Sequence, residues 1–454
     1  MDQKKSLSFK EFLAVGSLLF GMLFGAGNLI FPPILGQNAG SAYVPAALGF
    51  LVTAVGLPVL ATISFALSRK DTLRGYAERA GKGFGLAFSL LLLLSIGPFF
   101  AIPRNTTVAF TVGIAPLLSG DQGLPLLIYS SVFFLLTLFF ALRPSKILDV
   151  VGKVMAPLFI LLIASLILKN LFTPMGNPLA YPAQDTYLAP FKQGVLDGYQ
   201  TMDVLACLAF GITIVTNVHM LGIEEAKPTA RETAKSSIFS LLVMSALYFG
   251  LSYLGATCQG SMAAQENGGQ ILVQASLHHF GSFGQVLLAL TITVACLKTA
   301  IGLVVAISQT FVKYFPQGPS AKSWSYLIVL VSFIFANFGL NTIIQLSLPV
   351  LMFLYPLSIT LIALWCLDAV LPLRDRAFSL TIVLAIIPAL WDFLAACPPA
   401  LSKAAWAQSI LALPKGVLPL YEVGLGWLLP VGLGLLISAI CFRAPRAMTG
   451  ERAG

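Results

Sequence analysis

Charged side chains are scarce in this sequence. Asp, Glu, Lys and Arg together make up 10% of its 454 residues, whereas a soluble globular domain carries about 25%. Hydrophobic residues make up 57%, and the mean hydropathy is +0.89. So few charges cannot cover the surface that a folded chain of this length would present to water. The sequence therefore excludes a soluble globular protein and predicts an integral membrane protein with the lipid bilayer as its solvent.

Motifs that would define several other classes of protein are also missing. There is no G-x-x-x-x-G-K-[ST] loop, which argues against ATP-driven transport by this chain alone. Acidic, His and Cys residues are scattered, so we expect no enzyme activity and no cofactor. None of the six cysteines forms a CxxC pair, which favours six buried thiols over a metal site. The net charge of +9 lies in short loops without interleaved aromatic residues, so no nucleic-acid partner is expected.

Long apolar runs separated by short polar segments are what the sequence does contain. A helix that crosses the bilayer core needs about 20 mostly apolar residues. Helices are expected rather than strands, because backbone groups in lipid must bond within their own segment. We predict an all-α membrane protein with about twelve transmembrane helices. The predicted spans are residues 12–35, 43–67, 84–117, 124–142, 148–171, 194–221, 235–258, 282–312, 324–340, 343–367, 377–396 and 417–442.

The basic residues predict the orientation of these spans. Of the 27 Lys and Arg residues, 21 fall on the side that holds the N-terminus and 4 on the other, while Arg104 and Lys298 lie within spans. Cytoplasmic loops are enriched in Lys and Arg. We therefore predict a multi-pass protein of the cell membrane, inner or plasma, with both termini in the cytoplasm. The external segment 259–281 is either an ordinary loop or a short helix over an external vestibule.

The first predicted span has small and polar residues at its centre, with the sequence FGMLFGAGNLIFPP over residues 20–33. Glycine lowers the cost of leaving a helix, and unwound backbone at membrane depth exposes groups that can bind ions and carboxylates. Close helix packing against small residues is the alternative, but it does not explain Asn28. We predict a discontinuous first helix, which is typical of a secondary transporter.

The sixth predicted span contains a carboxylate, Asp203, in an otherwise apolar run. A charged side chain inside a span is costly, so Asp203 is a functional candidate unless it lies at the hydrated external interface. Discontinuous helices 1 and 6 suit a 5+5 inverted repeat with two extra helices. The predicted units are 1–171 and 194–367 for the two repeats, 377–442 for the appended pair and 443–454 for a cytoplasmic tail. Arg104, which follows two prolines, is expected to satisfy freed carbonyls or to pair with an acid.

Four stretches of the chain resemble the branched-chain amino acid transporters of the BrnQ or LIVCS family. They are residues 24–33, IGPFFAIPR over 96–104, residues 199–203 and ACLKTAIG over 295–302. This family belongs to the amino acid–polyamine–organocation superfamily. The resemblance implies a LeuT-like fold and a secondary active transporter that takes up leucine, isoleucine and valine by symport with Na⁺ or H⁺, through alternating access. An ion-independent amino acid exchanger is the alternative.

The first helix also looks like that of the neurotransmitter:sodium symporters, and this resemblance implies roles for individual residues. The ion-binding residues that it implies are Gly21, Leu23, Phe24, Asn28, Ala295, Lys298 and Thr299, with Na⁺ possible at Gly21, Phe24, Ala295 and Thr299. Lys298 stands where the symporters have a hydroxyl. Its ammonium could replace Na⁺ in an H⁺-coupled protein, or it could extend along the helix towards the cytoplasm.

A branched-chain amino acid needs donors for its carboxylate, acceptors for its ammonium and a dry apolar wall. The resemblance places the carboxylate at the amides of Ala26 and Gly27. Each methylene is worth only about 0.8 kcal/mol on burial, so we expect selectivity for the class rather than for one member. The predicted substrate-binding residues are Phe24, Gly25, Ala26, Gly27, Tyr199, Thr201, Asp203 and Phe210.

Overall fold

The computed structural model describes residues 6–143, 146–180, 187–223, 225–421 and 424–443, without the side chains of 146–157, 159 and 226. In this part of the chain the secondary structure is helical, with two isolated β-bridges. The α-helices are α1 (Phe9–Leu23), α2 (Ala26–Ala39), α3 (Tyr43–Leu51), α4 (Leu57–Ser68), α5 (Leu73–Ala77), α6 (Lys82–Leu94), α7 (Ala101–Gly113), α8 (Gly123–Leu142), α9 (Lys146–Phe172), α10 (Leu188–Tyr199), α11 (Asp203–Met220), α12 (Ala226–Cys258), α13 (Gly268–Tyr314), α14 (Ala321–Ala336), α15 (Leu340–Val370), α16 (Asp375–Ala396), α17 (Pro399–Ser402), α18 (Ala405–Lys415) and α19 (Leu428–Cys441).

Eight helical stretches in the described part of the chain are long and apolar enough to cross a membrane. They are Ala26–Ser68, Lys82–Leu117, Gly123–Leu142, Asp203–Met220, Lys227–Cys258, Gly268–Tyr314, Leu340–Val370 and Asp375–Ala396. Shorter apolar helices are Ile160–Phe172, Ala321–Ala336 and Leu428–Cys441. The prediction of an all-α membrane protein is confirmed. The count of twelve spans, the orientation and the unit boundaries stay predictions, and residues 444–454 of the predicted tail lie outside the described residues.

Two local predictions can be compared directly with the helix ends. The last span was predicted to begin at residue 417, which is wrong, because α19 begins at Leu428. Left-handed backbone at Leu420 (φ 62°) and Gly424 (φ 68°) stops a helix from forming across these apolar residues. Segment 259–281 contains a short helix, which agrees with one of its two predicted alternatives, whereas its place over an external vestibule stays a prediction. Helix α13 begins at Gly268 and changes direction at Gly281, where φ is 64° and ψ is −160°.

Helix α2 is held by unusually close contacts with its neighbours. A Cβ atom on Gly36 would lie 1.8 Å from the carbonyl oxygen of Ser252, and one on Gly255 would lie 1.8 Å from that of Pro33. The backbones of α2 and α12 therefore touch, which only glycine allows. This packing fixes the position of α2 and, with it, the start of the helix at Ala26.

Arg79, between α5 and α6, ties the first half of the chain to α15 and α16. Its Nη1 atom lies 2.8 Å from Asp368 Oδ2, and its Nε atom lies 2.9 Å from Asp375 Oδ1. Nη2 donates to the carbonyl of Leu373 at 2.8 Å, and the guanidinium carbon lies 4.0 Å from the ring centre of Phe378. We call this set of contacts the Arg79 clamp.

The six cysteines are free thiols, but the expectation that all of them are buried is wrong. Cys207, Cys258 and Cys296 are buried, Cys366 and Cys397 are half-buried, and Cys441 is exposed. Cys441 is exposed because it is the last residue of α19, where few other elements pack.

Candidate functional site

The first helix is broken between α1 and α2, as predicted. Phe24 is extended (φ −74°, ψ 95°), and so is Gly25 (φ −123°, ψ −167°). The N–H of Gly25 donates to Asn28 Oδ1 at 3.0 Å instead of bonding back into α1. The last carbonyls of a helix have no donors of their own, so Gly21 and Leu23 keep acceptors that the helix does not use. At the same point, α2 presents its first N–H groups.

Close packing does not account for the glycines at this break. No atom lies within 4 Å of a Cβ built on Gly21, and the nearest atom to one on Gly25 is Asn28 Oδ1, at 3.8 Å. At Gly27 the neighbour is a functional group, since a Cβ there would lie 3.0 Å from Arg104 Nη2. These glycines therefore serve the break in the helix and the approach of Arg104.

The second break separates α10 from α11 at three residues, Gln200 to Met202. Tight turns close the end of α10, and Met202 takes a left-handed conformation with φ 62°. Arg104 on α7 donates from Nη1 to the carbonyl of Gln200 at 2.7 Å. The expectation that Arg104 satisfies a freed carbonyl is confirmed. Thr201, predicted to bind substrate, donates its hydroxyl to Gly198 at 2.9 Å.

The two breaks meet at a buried polar cluster, which we call the central cluster and define as Asn28, Asp203 and Tyr248. Asn28 Nδ2 donates to Asp203 Oδ2 at 2.6 Å and also contacts the hydroxyl of Tyr248. That hydroxyl lies 3.4 Å from the same carboxylate oxygen. Asn28 is 1% exposed and Asp203 is 2% exposed. The alternative that Asp203 lies at a hydrated interface is therefore wrong. Asp203 is also the first residue of α11, where a carboxyl group interacts favourably with the helix dipole.

Arg104 supplies the positive charge beside this cluster. It is 3% exposed, and its guanidinium carbon lies 5.3 Å from the ring centre of Phe31 on α2. It lies within electrostatic range of Asp203 without a direct ion pair in the described contacts. Only Nη1 has a described hydrogen-bond partner, which leaves other donors of the guanidinium pointing towards the start of α2.

The three aromatic residues that were predicted to bind substrate, Phe24, Tyr199 and Phe210, lie in three different places. Phe24 stacks on Tyr248 with ring centres 6.3 Å apart, so it borders the central cluster. Phe210 is half-buried and lines a small apolar cavity with Leu23 and residues of α1 and α4. Tyr199 lies elsewhere, stacked on Tyr355 of α15 with ring centres 4.0 Å apart.

The predicted ion ligands of the eighth span lie together on α13. Thr299 is half-buried and donates its hydroxyl to the carbonyl of Ala295 at 3.0 Å, within the helix. Lys298 is exposed, and no hydrogen bond or ion pair described for this structure involves its ammonium. The structure thus brings Asn28, Asp203 and Arg104 together but records no bond from Lys298 to Gly21. The ion-site assignment stays a prediction.

Tyr248 was missed by the sequence reasoning. It lies at the centre of a long apolar helix, α12, where a tyrosine looks like an ordinary hydrophobic residue. Its only sequence signal is a phenolic hydroxyl at membrane depth, which needs a partner when it is buried. That partner, Asp203, is 45 residues away along the chain.

Two broken helices joined by buried polar groups inside a helical bundle define a LeuT-like membrane transport protein. The fold is similar to that of MhsT in complex with L-phenylalanine, with a TM-score of 0.54 and 15% identity over 96% of this chain and 100% of that one. It is also similar to the inward-facing conformation of Mhp1, with a TM-score of 0.60 and 14% identity over 95% and 91% of the two chains. At these identities the likeness shows the fold alone.

The chain belongs to the family described as branched-chain amino acid transport protein, which it matches over residues 8–445. It is 41% identical to the branched-chain amino acid permease BrnQ of Lactobacillus delbrueckii subsp. lactis, over 96% of this chain and 98% of the relative. It is 39% identical to the branched-chain amino acid permease BraB of Bacillus subtilis, over 96% of both chains. The resemblance found in the four stretches is confirmed.

Proposed function

We propose that the chain is a secondary active transporter that takes up leucine, isoleucine and valine across the cell membrane by symport with Na⁺ or H⁺. The observation that carries this proposal is the meeting of the two helix breaks at Asn28 and Asp203, 2.6 Å apart. Unwound backbone at membrane depth offers acceptors and donors for a polar solute where lipid offers none. The names of the relatives supply the substrate class.

The substrate carboxylate binds at the start of α2. The N–H groups of Ala26 and Gly27 have no partners within the helix, and the helix dipole favours an anion there. The guanidinium of Arg104 lies beside Gly27 with donors to spare. Charge-assisted hydrogen bonds from an arginine to a carboxylate are about twice as strong as neutral ones. Arg104 thus joins the amides as a carboxylate ligand.

The substrate ammonium and the coupling cation need oxygen acceptors, and the break of the first helix provides them. The carbonyls of Gly21 and Leu23 are freed there, and Asp203 supplies carboxyl oxygens that Asn28 orients. The side chains of leucine, isoleucine and valine are aliphatic and need only apolar contact, which Phe24 and Phe210 provide. Na⁺ coordinated by carbonyls and the hydroxyl of Thr299 is one form of coupling, and protonation is the other.

The experiment is uptake of radiolabelled leucine into proteoliposomes that contain the purified protein, with Na⁺ and pH gradients imposed separately. Uptake that rises above the equilibrium level with an inward Na⁺ gradient supports sodium symport, and the same response to an inward H⁺ gradient supports proton symport. Uptake that appears only when the vesicles are preloaded with leucine supports the ion-independent exchanger. Empty vesicles are the control, and the absence of uptake under every condition contradicts the proposal.

The role of Lys298 is tested in the same vesicles. If its ammonium replaces Na⁺, we expect Lys298→Thr to increase the dependence of leucine uptake on Na⁺. Lys322→Thr is the matched control, because Lys322 is an exposed lysine of α14, outside the proposed site. Equal Na⁺ dependence in the two variants and the parent protein would mean that Lys298 only extends towards the cytoplasm.

A further inference from the structure

A second buried carboxylate lies outside the site described above. Asp392, near the end of α16, is 2% exposed. Its Oδ2 atom is fully buried and has no hydrogen-bond partner. A buried carboxylate without a partner costs several kcal/mol if it is ionised, and a span makes it harder to hydrate. A group in this state needs something to neutralise it.

The surroundings of Asp392 are aromatic and carry a further unpartnered polar atom. Tyr199 of α10 and Tyr421, which follows α18, both lie within electrostatic range of Asp392. The hydroxyl of Tyr421 is buried without a hydrogen-bond partner. Two unpartnered polar groups that interact with each other, Asp392 Oδ2 and this hydroxyl, point to an exchangeable species rather than to a finished hydrogen-bond network.

No charged side chain neutralises Asp392 among the described residues. The elements packed against α16 are α15, α17, α18, α19 and the turn between α5 and α6. Their ionisable groups, apart from thiols, are Glu78, Arg79, Tyr355, Asp368 and Lys415, joined on the adjoining loops by Lys403 and Tyr421. Of these, only Tyr421 acts on Asp392, and Arg79 is bound to acidic groups in the Arg79 clamp.

A proton fits the site better than a metal ion. In the described part of the chain, no group of three His, Cys, Asp or Glu residues surrounds Asp392 or any other point. A protonated carboxyl group is neutral, needs only one acceptor for its O–H, and can find it in a tyrosine hydroxyl.

The region around Asp392 connects to the transport site through two stacked rings. Tyr199 is the last residue of α10, directly before the second break, and it stacks on Tyr355 at 4.0 Å. Tyr355 in turn lies within electrostatic range of Asp203. A change of charge at Asp392 therefore acts on the residue that ends the first half of the sixth helix.

We propose that Asp392 is a second proton-binding site, linked to the central cluster through Tyr199 and Tyr355. Asp392 Oδ2 takes one H⁺ from the aqueous phase to give a neutral carboxyl group and returns it when the carboxylate reforms, and no other bond changes. The link to transport rests on the proposed function. The proton site itself does not depend on the proposed function.

The test is infrared spectroscopy of the purified protein in lipid, which detects the carbonyl stretch of a protonated carboxyl group. We expect Asp392→Asn to lose one such band that is retained in Asp71→Asn, where an exposed aspartate is replaced. The band should also survive in Asp203→Asn. A spectrum of Asp392→Asn with every band of the parent protein would overturn the proposal. Asp392→Glu, which keeps a carboxyl group, should keep a shifted band and guards against a folding defect.

The link is tested with Tyr199→Phe, which keeps the stacked ring and removes only the hydroxyl. We expect this variant to shift the frequency of the Asp392 band, whereas Tyr326→Phe on the exposed surface of α14 leaves it in place. An unshifted band would refute the link through Tyr199. Because the spectra need no transport, a failure of leucine uptake would count against the proposed function and leave the proton site standing.

Discussion

Asn28 forms hydrogen bonds with both helix breaks. Its oxygen accepts from the N–H of Gly25, and its amide nitrogen donates to Asp203. Replacement by alanine removes both bonds and leaves the carboxylate with the weaker contact from Tyr248. We expect Asn28→Ala to lower the free energy of unfolding by about 1–3 kcal/mol, the usual cost of an unsatisfied buried polar group. Denaturant titration in mixed micelles measures this change.

The matched control for this prediction is Asn217→Ala on α11. The side chain of Asn217 bonds only to the carbonyl of Thr213 in its own helix, near the surface. We expect Asn217→Ala to change the free energy of unfolding by no more than about 0.5 kcal/mol, as most surface substitutions do. Equal losses in the two variants would mean that Asn28 has no special part in joining the breaks.

Arg104 is the other residue whose replacement should be felt at the transport site. Its planar guanidinium bonds to Gln200 and still presents donors beside Gly27, which a lysine cannot do. We expect Arg104→Lys to weaken leucine binding about 10-fold or more, since a hydrogen bond to a charged group is worth about 1.5–3 kcal/mol. Equilibrium binding of radiolabelled leucine to the purified protein gives this value.

Arg143→Lys serves as the control for Arg104→Lys. Arg143 is exposed at the end of α8, where its guanidinium lies 5.5 Å from the ring centre of Phe139. We expect the Arg143→Lys variant to bind leucine as tightly as the parent protein does. If Arg104→Lys also binds leucine normally, then Arg104 only holds the second break and does not contact the substrate.

At the scale of elements, the contact between α2 and α12 depends on glycine. A Cβ on Gly255 would overlap the carbonyl oxygen of Pro33, and backbone cannot move aside as a side chain can. Overpacking of this kind costs about 1–3 kcal/mol, so we expect Gly255→Ala to lower stability by that amount. A Cβ on Gly432 of α19 would have no atom within 4 Å, so we expect Gly432→Ala to leave the stability unchanged. Thermal unfolding in detergent compares the two, and equal midpoints would contradict the prediction.

The break in the first helix could be predicted from the sequence because the residues that indicate it are neighbours in the chain. Gly25, Gly27 and Asn28 stand together in an apolar run, and their chemistry alone indicates a broken helix. The partnership of Asp203 with Tyr248 depends on contacts between distant segments and gave no such signal. The start of α19 was predicted too early because apolar residues continue through Leu420, whose left-handed backbone is set by the surrounding structure. Local composition therefore predicts where a helix is broken, whereas the side chains that contact the break are determined by tertiary packing.

At the scale of the whole molecule, the distribution of Lys and Arg predicts which loops face the cytoplasm. We expect Lys403→Cys to react with a membrane-impermeant maleimide in intact cells, and Ser320→Cys to react only after permeabilisation. Both positions are exposed. The background is Cys441→Ser, which removes the one exposed native thiol among the described residues. The reverse labelling pattern would show that the orientation is inverted.

The Arg79 clamp bears on how such a protein could be shortened. The part of the chain after residue 370, which contains α16 to α19, was predicted to be an addition to the two repeats, and additions of that kind are natural targets for truncation. Yet Arg79 takes one partner from α15, one from α16 and one from the loop between them. A chain cut at Val370 would keep the arginine and lose two of its three partners. The segment after residue 370 is therefore not a removable module, and a minimal version of this protein must keep α16 or replace Arg79 as well.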